Sequence, residues 1–248
     1  YEILSGLVGS EMCIRDSRLD ESVNLVSNKG SSDKPKGLMW EWYSGSSSLS
    51  SYLKKNDHTH LPPIDYRYGW NLSKRAHQTQ LLDALLTVGV DTLFASPNCA
   101  PWGNNSRSSP EDKRTERRLN EESTLRFLAV ACFFQALLGR QYIIENSACS
   151  DIFTDSPLFN LRLLKYYLAL LDQCTCGGKI NDMFIRKRTH FQSNCVLHHL
   201  QSLCAGGHKH LPLRGSLGGK GLCATSAQYP TEECRKITHE ALSNGTSE

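Results

Sequence analysis

The chain has no apolar run near the ~18–20 residues that a membrane-crossing helix requires, so no membrane partner is expected. It is also short of charge of one sign. Lys and Arg number 28 against 25 Asp and Glu, a formal charge of +3, too small to announce a polyanion binder yet compatible with a local basic groove. With 39% hydrophobic and 21% charged residues, it lacks the bias of a disordered, collagenous or coiled-coil chain. No secretory signal is expected, because Ile3, Leu4, Leu7 and Val8 have no basic n-region and no sustained apolar core beside them. Ten cysteines are many, but they lack the regular spacing of a secreted disulfide scaffold. A reducing, intracellular compartment is expected.

The 248 residues allow one large domain or two small ones. Leu7 to Ser17 resembles the translation of a library adaptor, so residues 1–17 carry no fold information and the natural start is expected to be lost. Residues 18–37 are polar and read as a linker. Three segments follow: 1–37 as an adaptor-derived, disordered N-terminal segment, 38–172 as an α/β core, and 173–248 as a Cys/His/Gly-rich excursion with a closing helix.

Within the core, Leu38 to Gly45 reads as a buried strand breaking at Gly45, with a helix from Leu49 to Lys54. A second short strand is expected to end near Asp65, a helix to span Lys74 to Val88, and a third strand Asp91 to Ser96. Residues 103–122 have few apolar groups and read as a mobile loop, a candidate lid. An amphipathic helix spans Glu122 to Leu138, a fourth strand Gln141 to Asn146, and a further helix Leu158 to Leu171. An amphipathic ending lies near Glu232 to Leu242. Strands alternating with helices argue for a parallel sheet covered on both faces.

In such sheets ligands gather beyond the carboxyl ends of the strands. Past the first strand stand Ser44, Gly45 and Ser46, where glycine admits close backbone approach and the next helix can present free N–H groups. Past the second stands Asp65, about 20 positions after Gly45, the offset of a ribose-binding carboxylate; it equally suits a turn cap before Tyr66. Past the third come Pro97, Asn98, Cys99, Ala100, Pro101 and Trp102, and past the fourth Glu145 and Asn146. Each has a bland reading as well: Cys99 as a small buried hydrophobe, Glu145 as a surface carboxylate, Trp102 as packing beneath the loop, and the basic 103–122 residues as a solvated run.

Four segments, in order, resemble the catalytic domain of DNA (cytosine-5) methyltransferases, especially the divergent domains of eukaryotic mobile-element (retrotransposon) polyproteins. WYSGSSSLS resembles the first cofactor motif, FASPNCAPWG the nucleophile loop, IIENSA the Glu-Asn motif, and AQYPTEECRKI the last motif, which packs beside the cofactor. The resemblance spans Leu38 to about Ile237. It implies a Rossmann-like S-adenosylmethionine-dependent methyltransferase fold, mainly parallel, with a short irregular C-terminal excursion. It implies Cys99 as nucleophile toward C6 of cytosine, Glu145 as the acid that grips the base, Asn146 as loop holder, and Arg186 and Arg188 as cations near the thiolate. Cofactor contacts would come from Tyr43, Ser44, Gly45, Ser46, Asp65, Pro97 and Tyr229. The implied partner is DNA with the cytosine extruded or single-stranded, gripped by a basic loop from Asn104 to Arg118 carrying Arg107, Lys113, Arg114, Arg117 and Arg118. A nuclear location and further polyprotein domains go with it. The chain departs from the family at Asn98 and Ala100, where Pro and Gln are usual, in having Gly45 as the one glycine of the first motif, and in having Arg186 to Arg188 as a rough stand-in for Gln-x-Arg-x-Arg.

Two alternatives stay open. The first is a catalytically silent relic that binds nucleic acid or serves structure. The second is a zinc-stabilised interaction module built on Cys174, Cys176, Cys195, His198, His199, Cys204, His208 and His210. Their spacing matches no standard finger, so the sequence assigns no metal site.

Overall fold

The computed structural model describes residues 37–213, 216–217, 220–222 and 226–243. The adaptor-like run and nearly all of the polar linker lie outside the described residues.

Strands β1 (Met39–Trp42), β2 (Thr92–Ala95) and β3 (Gln141–Ser147) are buried almost throughout, the pattern of strands covered on both faces. Their side chains alternate between two cores. Trp40, Trp42, Leu93, Ala95, Tyr142 and Ile144 enter one, and Met39, Phe94 and Ile143 the other. Helix α1 (Ser48–Lys55) follows β1, α2 (Arg75–Val88) precedes β2, and α3 (Glu111–Leu137) precedes β3. A single turn, α4 (Ile152–Asp155), follows β3, and α5 (Thr231–Ser243) closes the described chain. Leu81 and Leu85 of α2 and Leu125 and Leu128 of α3 fill the first core. Leu49 and Leu53 of α1 with Ile237 and Ala241 of α5 fill the second. Each such burial stabilises by about 1.5–3 kcal/mol, so helices sit on both faces, as expected.

The sheet is completed by β4 (Tyr167–Asp172) and, after the short strands β5 (Lys179–Ile180) and β6 (Met183–Ile185), by β7 (Arg188–Ser193). Its order is β1-β2-β3-β7-β4. The β1–β2 and β2–β3 pairings are parallel, whereas β7 lies antiparallel between β3 and β4. The five-stranded sheet is therefore mixed, with parallel pairing confined to its first half. Strand β8 (His210–Leu211) joins β6 in a small separate sheet with β5, and β9 (Ser216–Leu217) pairs with β10 (Lys220–Gly221).

Three expectations are corrected. Leu158 to Leu171 is not a helix: a 3-10 turn (Pro157–Leu163) ends at Leu164, whose extended ψ of 165° stops it, and β4 begins at Tyr167. The leucine spacing looks helical, but pairing with β7 decides. Residues 103–122 are not a loop either, since a 3-10 turn (Asn104–Ser108) runs into the 27-residue α3. Its polar first half is rich in Glu, Arg and Lys, good helix formers, and Arg114–Glu111 and Arg126–Glu122 pairs line it. Arg118 ties that half down by reaching Asp151, Asp155 and the carbonyl of Pro101. The second strand shrinks to two isolated parallel bridges, Met39 with His60 and Trp42 with Ile64.

Candidate active site at the carboxyl ends of the strands

Leaving β1, the chain turns through three left-handed residues, Tyr43 (φ 55°), Gly45 (φ 53°) and Ser47 (φ 53°). Two of them carry a Cβ, so the turn holds strain that its hydrogen bonds must offset. Gly45 N donates to Asp65 Oδ2 at 2.9 Å, Arg67 N to Asp65 Oδ1 at 3.0 Å, and Arg67 Nη1 to the carbonyl of Gly45 at 3.1 Å. Asp65 thus caps the 3-10 turn Tyr66–Tyr68 and staples it to the loop. Of its two readings from sequence, the cap is the one the geometry bears out. Ser47 Oγ donates toward Ser44 Oγ and Tyr68 Oη, Ser46 and Ser48 pair through their hydroxyls, and Tyr43 Oη reaches the carbonyl of Thr124 at 3.0 Å. The start of α1 is engaged from inside as well. Buried Glu41 accepts the Ser50 N–H at 2.8 Å, so one N–H of the first turn of α1 is already taken from inside.

The residues assigned to the cofactor therefore do not fit S-adenosylmethionine as an open cradle. Gly45 and Asp65 are bonded to one another, Tyr43 to the Thr124 carbonyl and Ser46 to Ser48, so these groups are already engaged within the protein. A cavity of about 300 Å³ between α1 and residues 60–70 touches this loop at Ser47 and is lined besides by Lys54, His60, Tyr68 and Trp70. Neither Cys99 nor Glu145 lines it.

The ends of β2 and β3 are built differently. Asn98 folds the nucleophile loop: its Oδ1 accepts the Ala100 N–H at 3.0 Å, and its Nδ2 donates to Glu121 Oε1 at 2.9 Å. The Cys99 carbonyl then takes the N–H groups of Trp102 and Gly103 at 3.1 and 2.9 Å. A Cβ at Gly103 would lie 3.3 Å from that carbonyl, so glycine keeps the turn tight. Trp102 is buried beneath the loop with the Arg118 guanidinium 4.7 Å above its ring, as the bland reading expected. Asn146 Nδ2 donates to the Pro97 carbonyl at 2.8 Å, fastening the loop to β3. Pro97 thus supports the loop through its carbonyl.

Beside it, Glu145 is 4% exposed. Its Oε2 accepts from Ser96 Oγ at 2.6 Å, and Tyr229 Oη lies 3.0 Å from the same oxygen and 2.8 Å from Ser96. Among the described residues its Oε1 is buried without a hydrogen-bond partner, as is Asn146 Oδ1. Tyr229, expected at the cofactor, is a partner of the acid instead; burial first and the Glu145 charge second push its phenol well above the ordinary value.

Cys99 is exposed as a residue, yet its thiol is held above the ordinary value, by desolvation first and by the charge of Glu145 next, with Lys187 opposing. The sulfur and the carboxylate therefore share one electrostatic neighbourhood. Arg186 and Arg188 do not supply the cation. Both turn to Asp172, Arg188 with Nε at 2.8 Å and Nη2 at 2.9 Å, Arg186 with Nε at 3.3 Å. Side chains alternate along extended chain, so Lys187 between them acts on the other side, a residue that the resemblance passed over. Burial pushes Asp172 up, but the arginines and the Cys204 N–H outweigh it and hold the carboxyl at about 2.

Two further buried acids, read from sequence only as helix or strand residues, belong to this end. Burial raises Glu41 to about 7. Burial first, then Glu145, raises fully buried Glu233 to about 8, against the pull of Lys187. Of the five basic residues expected to grip DNA, Arg107 and Arg118 pair with Asp151 and Arg114 with Glu111. Of the Cys/His set, Cys174, Cys204, His208 and His210 come together, with their ligand atoms within 4.8 Å of one another. Cys176 lies by Glu233 and Lys236, Cys195 by Lys165, and the His199 ring packs on His239.

No family model matches the chain, and no curated protein matches it. Among solved structures it is similar to the crystal structure of a Dnmt2 methyltransferase from S. pombe, at 14% identity and a TM-score of 0.37, over 64% of this chain and 50% of that one. The chain spans about half the length of that protein.

Proposed function

We propose that this chain is a DNA (cytosine-5) methyltransferase-like protein whose working groups are Cys99 and Glu145. The observation that carries the reading is the unpartnered Glu145 Oε1, buried beside a cysteine loop, while Oε2 is fixed by Ser96 and Tyr229. A buried acceptor left open inside an otherwise tied side chain suits a ligand that brings its own donor. A cytosine ring offers one in its exocyclic N4 amine, beside the N3 acceptor.

In this reading the Cys99 thiolate adds to C6, forming the S–C6 bond as the C5=C6 pair moves into the ring. A proton held between Glu145 and N3 neutralises the developing charge. C5, now electron-rich, takes a proton from water. Loss of the other C5 proton restores the double bond and expels the thiolate. The net event is hydrogen exchange at C5, complete without a methyl donor. DNA as substrate places the work in the nucleus.

A second reading is favoured by the closed first loop: a silent relic that keeps the fold and binds nucleic acid. Single-stranded DNA in heavy water separates the two. Deuterium should enter cytosine C5 with the natural chain and not with Cys99→Ser; equal incorporation would remove Cys99 from the chemistry, and none with either chain would favour the relic. Adding S-adenosylmethionine and 5-fluorocytosine DNA then asks whether a methylated covalent adduct forms.

A further inference from the structure

We propose that Cys174, Cys204, His208 and His210 form a structural zinc site that fastens the C-terminal excursion to the end of the five-stranded sheet. Cys174 Sγ lies 3.4 Å from His210 Nε2, and Cys204 Sγ lies 3.6 Å from His210 Nε2 and 3.7 Å from His208 Nε2. A tetrahedral ion with Zn–S near 2.3 Å and Zn–N near 2.0 Å has S···N edges of about 3.5 Å. These three of the six edges match, and all four ligand atoms lie within 4.8 Å of one another.

Hydrogen bonding alone explains the cluster poorly. Cys204 Sγ faces two imidazoles and also receives the Gly206 N–H at 3.4 Å, so three polar nitrogens converge on one sulfur. N–H donation to sulfur suits a thiolate. Two thiolates and two neutral imidazoles balance a divalent ion, and a tetrahedral S₂N₂ set is a zinc set rather than a magnesium or calcium one. All four positions come from protein, so the site is closed and structural.

Its position supplies a reason for it. Cys174 sits in the 3-10 turn (Gln173–Cys176) directly after β4, and Cys204 follows the bridge between Leu171 and Ser202. His208 and His210 lead into β8, which pairs with β6. Among the described residues the small sheet has a satellite core of Ile180, Ile185 and Leu222, with Leu211 and Leu213 partly buried against it, little apolar surface to hold it in place unaided. Asp172 steadies the thiolate loop by accepting the Cys204 N–H at 3.0 Å, and the Phe184 ring packs 4.2 Å from that of His208.

Metal analysis of the full chain, purified without chelator and dialysed, tests this. About one zinc per chain is expected, and exchange into cobalt should give the intense visible bands of tetrahedral thiolate ligation. Cys204→Ser should lose the metal, while Cys195→Ser, outside the cluster, keeps it. The proposal falls if the folded natural chain carries no zinc and cobalt gives no tetrahedral spectrum. It falls equally if Cys204→Ser retains a full equivalent, or if non-reducing mass analysis finds a Cys174–Cys204 disulfide. Should Cys204→Ser fail to fold, the cobalt spectrum of the natural chain decides.

Discussion

The end of β1 and the end of β3 both carry buried or half-buried acids at a loop, but they treat their polar atoms in opposite ways. At the first, Asp65 uses both oxygens on backbone N–H groups and the serine hydroxyls turn to neighbouring side chains. At the second, Glu145 and Asn146 each fix one polar atom and leave the other buried and unpartnered. A self-satisfied loop holds shape; a half-satisfied one is set for something that arrives. The contrast holds between Asp65 and Glu145; Glu41 on β1 shares the pattern of Glu145, with Oε2 taken by Ser50 and Oε1 buried without a partner among the described residues.

The sharpest way to break this contrast is to exchange each acid. Glu145→Gln should lower deuterium incorporation at cytosine C5 by at least ~100-fold with the melting temperature unchanged or raised, since a buried charge is removed; loss of folding instead would make Glu145 structural. Glu233→Gln should change the response to pH. The folded chain keeps a proton on Glu233 up to about 8, whereas the unfolded chain releases it near 4.5. Stability from this group is full below about 4.5 and is lost as pH rises through about 8. At pH 8.5 the variant should be more stable by on the order of 3 kcal/mol, and near pH 4.5 the two should agree; parallel urea curves at both pH values would contradict this. Asp65→Ala should cost about 1–2 kcal/mol in the same assay and leave C5 exchange within twofold. Were it to abolish binding of S-adenosylmethionine by calorimetry without loss of stability, the structural assignment would fail. The smallest effect is at Lys187: Lys187→Met should raise the pH midpoint of Cys99 alkylation by less than about one unit, and Arg186→Met should not move it.

Much of the fold was legible in the sequence. Buried apolar runs mark β1, β2 and β3, and helical spacing marks α1, α2, the apolar half of α3, and α5. Cys99 was found as a residue following a strand and Asn146 as the one that holds the loop, whereas Glu145, expected just past the fourth strand, lies with Asn146 inside β3, paired with β7. The misreadings have common causes. Residues 111–121 form a helix without an apolar face, held instead by Arg118 and by salt bridges to partners remote in sequence. Leu168 to Leu171 form a strand because β7 lies beside them, and β7 left no signal of its own. Lys187 was hidden between two arginines whose partner, Asp172, is seen only when β4 and β7 pair.

By itself the amino-acid sequence determined which segments are apolar, where they break, and which reactive side chains stand just past the breaks, because periodicity and turn chemistry are local properties. Only the tertiary structure decided which of those side chains are engaged and which remain open. Asp65 became a cap, Arg186 and Arg188 became the clasp of Asp172, and two cysteines and two histidines from separate loops met at one point. A polar side chain's role depends on what lies within about 3 Å of it, and that neighbour is set by packing between segments far apart in the chain.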